Sequence, residues 1–334
     1  MPLHQRISSI SRIVISFACV SIAAATAANA QYLYLGDYAS QHVVRFDAFT
    51  GAAVGPNPFI STAGLAEGID CKGSKLAVAN FGSGEINLYD KATGAFSSTL
   101  VSNVFAGQIS YNKDASLIYA ADVQSGIRAF DASTGAQVYS VSLAGAHDVA
   151  VGADGNIYAA NIGNTVFKYS ADLSTMTTFI AAGDHGLQKA VGPTFANDGS
   201  FYITNTTVHG GTSDFINHYD ANGNFINTLT DASLSGAYGT AIGPDGNLYV
   251  ANLSGACVVR FNTTNDTFIG AFVLAHAGGI NNPKYIRFDS QNIQAVPEPG
   301  SIAMFAGIGI AGAGFMIRRR VRKNVASANR AKTA

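Results

Sequence analysis

His147 and Asp148 are adjacent in this 334-residue chain, and an imidazole beside a carboxylate can act as a general base. Glu67, with Asn and Asp residues recurring around it, could hold a divalent cation such as calcium or magnesium through oxygen ligands. Gln108, Tyr238 and Lys284 stand at comparable places in later segments. The other histidines between the two apolar segments, His42, His185, His209, His218 and His276, are scattered without metal-ligand spacing. There is no Gly-rich phosphate loop, nucleophile elbow or paired-thiolate motif. His147, Asp148 and Glu67 are therefore the catalytic candidates, no metal site is assigned, and the expected role of the whole set is to line a channel in contact with water.

The elements that position these residues repeat. GADGNIYAAN (152–161), GPDGNLYVAN (243–252) and ANDGSFYITN (196–205) each read as a turn at Asp-Gly followed by an alternating strand ending in Asn. KGSKLAVAN (72–80), DASLIYAAD (114–122) and YLYLGD (32–37) are weaker copies. After each comes a short loop and a second strand: HVVRFD, EINLYD, GIRAFD, TVFKYS, FINHYD and CVVRFN. The Asp-Gly and Gly-Asn pairs supply the positive φ that tight hairpins require. The strand-ending Asp or Asn recurs at 37, 80, 122, 161, 205 and 252, a step of about 43 residues that suits a propeller blade. These six side chains are expected to hydrogen-bond their own turns.

An inner strand before each Asp-Gly turn is expected near Glu67, Ile109, Val149, Thr194, Thr240 and Ile286. The first repeat, Tyr32 to Asp37, lacks one, and the last, Lys284 to Asp289, lacks a partner. Joining the two completes a blade from both ends of the body. The reading is all-β, a six-bladed propeller with one blade shared between its ends. Ile293 to Val296 competes for the same place, which leaves seven blades open. The repeats resemble NHL-type and streptogramin-lyase-like propellers, in which GPDGNLYV recurs at this place. Lyase-like relatives use histidine and glutamate around a metal, and lactonase-like relatives bind a metal with Glu, Asn and Asp. That resemblance implies a metal-dependent lyase or hydrolase as the alternative to a non-catalytic binding protein.

Two apolar segments flank the body. Arg6 and Arg12, an apolar run from Ile13 to Ala25, and Ala28-Asn29-Ala30 read as a signal peptide over residues 1–30, cleaved by signal peptidase. The propeller is expected over 31–295. Ile302 to Ile317 carries no charge, and as a helix it would measure about 24 Å, a short membrane span. Arg318, Arg319, Arg320, Arg322 and Lys323 follow and would stay cytoplasmic, with 324–334 as a tail. Pro297-Glu298-Pro299, the apolar helix and the arginine cluster together resemble the PEP-CTERM sorting signal of Gram-negative bacteria, here over 296–323. The resemblance implies an exosortase-type membrane protease as partner, a transient stay in the inner membrane, and then the cell surface or extracellular matrix.

From Gln31 to Ala295 the chain has 20 acidic and 11 basic side chains, a balance of −9. That charge disfavours nucleic acid and anionic membrane surfaces and leaves an extracellular polysaccharide or a protein as the expected ligand. Cys71 and Cys257 are expected as free buried thiols, with a disulfide as the alternative.

Overall fold

In the computed structural model, residues 31–289 are described. The signal peptide with its Ala28 and Ala30 cleavage site, the sorting motif, the 302–317 helix and the basic tail lie outside these residues. So does the Ile293–Val296 competitor. Among the described residues no helix is long and apolar enough to cross a membrane.

The strands run in chain order. β1 (Tyr32–Asp37), β2 (His42–Asp47) and β3 (Ile60–Ser61) come first. β4 (Ala66–Lys72), β5 (Lys75–Asn80), β6 (Glu85–Asp90) and β7 (Phe96–Ser102) form the next sheet. β8 (Ala106–Tyr111), β9 (Leu117–Asp122), β10 (Gly126–Asp131) and β11 (Gln137–Val141) form the third. β12 (Ala146–Val151), β13 (Ile157–Asn161), β14 (Val166–Tyr169) and β15 (Met176–Ile180) form the fourth. β16 (Ala190–Phe195), β17 (Phe201–Asn205), β18 (Phe215–Tyr219) and β19 (Phe225–Leu229) form the fifth. β20 (Ala237–Ile242), β21 (Leu248–Asn252), β22 (Cys257–Asn262) and β23 (Thr267–Val273) form the sixth. β24 (Pro283–Phe288) then pairs antiparallel with β1, setting Leu33 opposite Phe288 and Leu35 opposite Ile286.

The fold is therefore an all-β propeller of six four-stranded antiparallel blades, and the blade shared between the two ends of the body is β24-β1-β2-β3. Each inner strand falls where the repeats place it. The repeats do not mark the outer strands β3, β7, β11, β15, β19 and β23. Their residues are mostly exposed and alternate weakly, as in β7 and β11.

Apolar residues of neighbouring blades share each core. Leu33, Leu35, Val44 and Phe46 of the first blade pack with Tyr249, Val258 and Phe272 of the sixth. A fully buried side chain of this kind contributes about 1.5–3 kcal/mol relative to exposure. Some polar contacts also cross blades: the Tyr34 hydroxyl donates to the Lys91 carbonyl at 3.0 Å, and that of Tyr119 to Ala171 at 2.7 Å.

Five of the six recurrent Asp and Asn side chains, all but Asn80, divide between two jobs. Asn161 accepts from Asn164 and Thr165, and Asp122 from Gln124, in their own turns as expected. Asp37 instead accepts the backbone N–H groups of Asn281 and Asn282. Asn205 accepts those of Gln188 and Lys189, and Asn252 that of Ser235. These three fasten the loop arriving from the preceding blade, whose backbone donors have no ladder partner and need an acceptor. Cys71 and Cys257 are both free; Cys71 is buried and Cys257 only half-buried. Burial pushes the Cys71 thiol up to about 12.

Deleting Tyr32 to Asp47 would strip β1 and β2 from the closing blade and leave β24 with an open edge, which recruits other chains. Size-exclusion chromatography and thermal melting are expected to show association and a lowered Tm. A deletion variant that stays monomeric with the parent Tm contradicts the shared blade.

Candidate functional site

All six inner strands carry a one-residue β-bulge near their first residues. Ala66 faces Asn80 and Ile69 faces Val78, so three steps on β4 match two on β5. The same irregularity recurs after Ala106, Ala146, Val191 and Ala237, and at Tyr285/Pro283 against Gly36/Asp37. A bulge bends the strand and re-aims a side chain. Glu67, His147, Tyr238 and Lys284 all occupy the second position of their strands, so the bulges act on the same layer of the ring. The inner strands approach closely there. A methyl group on Gly107 would overlap the His147 carbonyl oxygen, and one on Gly239 would come within 2.7 Å of the Lys284 carbonyl oxygen.

Two polar groupings result. Lys284 Nζ donates to Glu67 Oε1 at 2.6 Å, and its ammonium lies 4.3 Å from the centre of the Tyr38 ring and 5.0 Å from that of Tyr238. Burial pulls the Glu67 carboxyl above its usual range, while Lys284 and then His147 act the other way. Glu67 Oε2 has no hydrogen-bond partner among the described residues.

In the second grouping His147 Nδ1 lies 3.0 Å from Asp148 Oδ2 and 3.1 Å from the Tyr285 hydroxyl. His147 Nε2 lies 3.3 Å from the Tyr238 hydroxyl, which is 2.6 Å from His209 Nε2. One proton order satisfies the row: His209 Nε2–H donates to Tyr238, Tyr238 donates to His147 Nε2, and His147 Nδ1–H donates to Asp148. This order is assigned from the network. Asp148 Oδ1 accepts from the Gly192 N–H of the next blade. Burial pushes the Tyr238 and Tyr285 phenols far up, with Asp148 adding to both. Burial, helped by His147 and Lys284, pulls His209 down to about 4.

Glu67, His147, Asp148, Tyr238 and Lys284 are all buried, and Asp148 and Tyr238 are wholly inaccessible. The expectation that they are bathed by channel water is therefore corrected: these side chains bond to one another. Both nitrogens of His147 have protein partners. Lys284 supplies the positive charge at Glu67 that a cation would otherwise bring. Among the described residues no three His, Cys, Asp or Glu side chains converge as a metal-binding group. Gln108 does not join: its Oε1 accepts from the neighbouring Ile109 N–H. His209, read from sequence as scattered, does join, because the loop between β17 and β18 carries it to the Tyr238 hydroxyl. No repeat position marks that loop residue.

Replacing Lys284 with Ala leaves Glu67 buried without its partner, at a cost of about 3–5 kcal/mol. Urea unfolding should show that loss, and Glu67→Gln with Lys284→Met should restore most of it. A change below about 1 kcal/mol in the single variant contradicts the pairing. The depressed His209 sets a pH dependence. The unfolded chain takes up the His209 proton near pH 6.5 and the folded chain only near 4, so this stabilisation is complete above 6.5 and fades as pH falls toward 4. His209→Gln should flatten the stability curve in that window, and an unchanged slope would count against it.

No curated protein matches the chain. Residues 295–320 match the model described as the PEP-CTERM protein-sorting motif. Among solved structures, a chain of the nidogen/laminin complex superposes with a TM-score of 0.63 at 12% identity, over 77% of this chain and 98% of that one. A protein of unknown function from Bacteroides caccae superposes at 0.58 and 10% identity, over 78% and 100%. At such identities the likeness is one of fold alone. The chain is thus an exported six-bladed β-propeller carrying a PEP-CTERM sorting motif, which implies membrane transit toward the cell surface and processing by exosortase, a membrane protease.

Proposed function

We propose that this protein is a non-catalytic propeller displayed on the cell surface or in the extracellular matrix, where it binds a polymer or protein through its outer faces. The observation that carries this reading is the closed axis. The groups best suited to chemistry, His147, Asp148 and Glu67, are buried and engaged with Tyr238, Tyr285 and Lys284. A lyase or hydrolase acting in the channel would need one of them to reach a substrate. Recognition therefore falls to the rims and turns, where exposed aromatic and apolar side chains such as Phe49, Phe96 and Tyr139 are found. In this reading Pro297, Glu298 and Pro299 present the tail for removal, and Arg318, Arg319 and Arg320 hold it at the cytoplasmic side until then.

Cell fractionation tests both parts. The wild-type protein is expected in the surface or matrix fraction with a new C-terminus near Pro299 by mass spectrometry, and to rebind washed matrix after release. Changing Pro297, Glu298 and Pro299 to Ala should leave export intact and hold the protein at the inner membrane. Intact wild-type chain at the surface would argue for a permanent anchor, and released protein that ignores the matrix would remove the polymer reading.

A further inference from the structure

A concavity lies between the third and fourth blades, on the face opposite the one where the inner strands begin. It has a volume of about 690 Å³ and is lined by Asn112, Lys113, Asp114, Tyr119 and Tyr139 on one side, with Asp172 on the other. Its volume lies in the range of sites that hold small organic ligands, roughly 300–1,000 Å³. Apolar side chains such as Leu117 and Val151 share the lining with these polar ones. Tyr119 forms a fixed wall, wholly buried, its hydroxyl donating to the Ala171 carbonyl of the next blade. Tyr139, on the outer strand β11, keeps 37% of its surface exposed. Burial first, then Tyr139, Asp172 and Asp114, push the Tyr119 phenol up to about 12.

The two carboxylates are fixed in direction. Asp114 Oδ1 accepts from the Ser116 N–H and hydroxyl, and Asp172 Oδ1 from Ser174 in the same way and from the Ser170 hydroxyl. These bonds draw both carboxyls below their ordinary range, Asp172 to about 2. Both are therefore charged at neutral pH, against the single ammonium of Lys113. Asn112 is held by Ser116 and the Leu117 N–H.

We propose that this cleft binds a neutral hexopyranose chain, with the Tyr139 ring as the stacking platform and Asp114, Asp172 and Asn112 as hydroxyl acceptors. A pyranose has an apolar C–H face and an equatorial rim of hydroxyl donors, which matches an exposed aromatic ring beside oriented carboxylates. The excess of negative charge selects against uronates and sulfated sugars, whose carboxylates would meet Asp114 and Asp172. The inference rests on the polymer-binding reading above and gives it a place and a ligand class.

The test is isothermal titration of the processed protein with neutral gluco-, manno- and galacto-oligosaccharides and with oligouronates of equal length. At least one neutral series is expected to bind, and oligouronates more weakly. Tyr139→Ala should weaken binding about tenfold, the scale of about 1.4 kcal/mol for a lost aromatic contact, with Tm unchanged; Tyr139→Phe should keep it. Asp172→Asn should narrow the preference for neutral over acidic chains. Binding of no neutral series at millimolar concentration, equal binding by Tyr139→Ala, or preference for uronates would each overturn the site. Matrix retention by Tyr139→Ala alongside any of these outcomes would show that polymer binding stands but lies elsewhere on the propeller.

Discussion

The structure depends on one pairing made across nearly the whole length of the body, β24 against β1. Until it forms, five blades built from consecutive strands make an open arc, and the inner strand of the closing blade has no partner. The cost of bringing such distant segments together grows only slowly with the intervening length. What must be strong is the local seam, and charge is concentrated there. Lys284 pairs with Glu67, Arg287 Nε with Asp70 at 2.7 Å, and Lys91 with Asp289 at 2.8 Å. Each of these joins β24, or the residue that follows it, to the second blade. The other lysine and arginine pairs in the described residues, Arg128–Asp122, Lys168–Asp154 and Arg260–Asp245, stay within a blade.

Closure also decides what the axis becomes. Six inner strands meet around it, each bulged at the same point, and glycines such as Gly107 and Gly239 let their backbones nearly touch. Side chains aimed into so narrow a space cannot keep water shells, so they must satisfy one another. Glu67 finds Lys284, while His147 finds Asp148, Tyr238 and Tyr285. Buried polar networks of this kind are costly when incomplete, and that dependence favours a single arrangement of the blades. Asp148 and Asp70 extend the network sideways by accepting the Gly192 and Tyr111 N–H groups of adjacent blades.

Much of the scaffold was legible because its signals are local. Asp-Gly turns, alternating Val, Ile and Tyr, and strand-ending Asp or Asn repeat within a few residues of one another, which is enough to count six inner strands and to see that the first repeat and the last complete each other. The outer strands were not legible, since a strand such as Gln137–Val141 packs little on either face and so carries little hydrophobic period. The site was legible only as separate residues. Glu67 and Lys284 are 217 positions apart, and the bulges that turn them toward each other are marked only by a glycine in four of the six stretches, Gly68, Gly107, Gly192 and Gly239. His209 lies in a loop outside the repeat, so its position depends on the path of one connection and not on periodicity.

The separation of axis and rim has a consequence for how such a protein can change. Axial side chains bond to others from different blades, so altering one leaves its partner unsatisfied, as Lys284→Ala would leave Glu67. The turns on the far face obey a looser rule. Asp114 and Asp172 are each held by serines of their own loop, and Tyr139 sits on an outer strand with little packed against it. Residues there can be exchanged without disturbing the closure between β1 and β24, because no contact that secures the seam passes through them. Specificity for a ligand can therefore vary between blade clefts while the closed axis and the sorting tail stay as they are. A propeller arranged this way functions as a rigid carrier of replaceable surface sites.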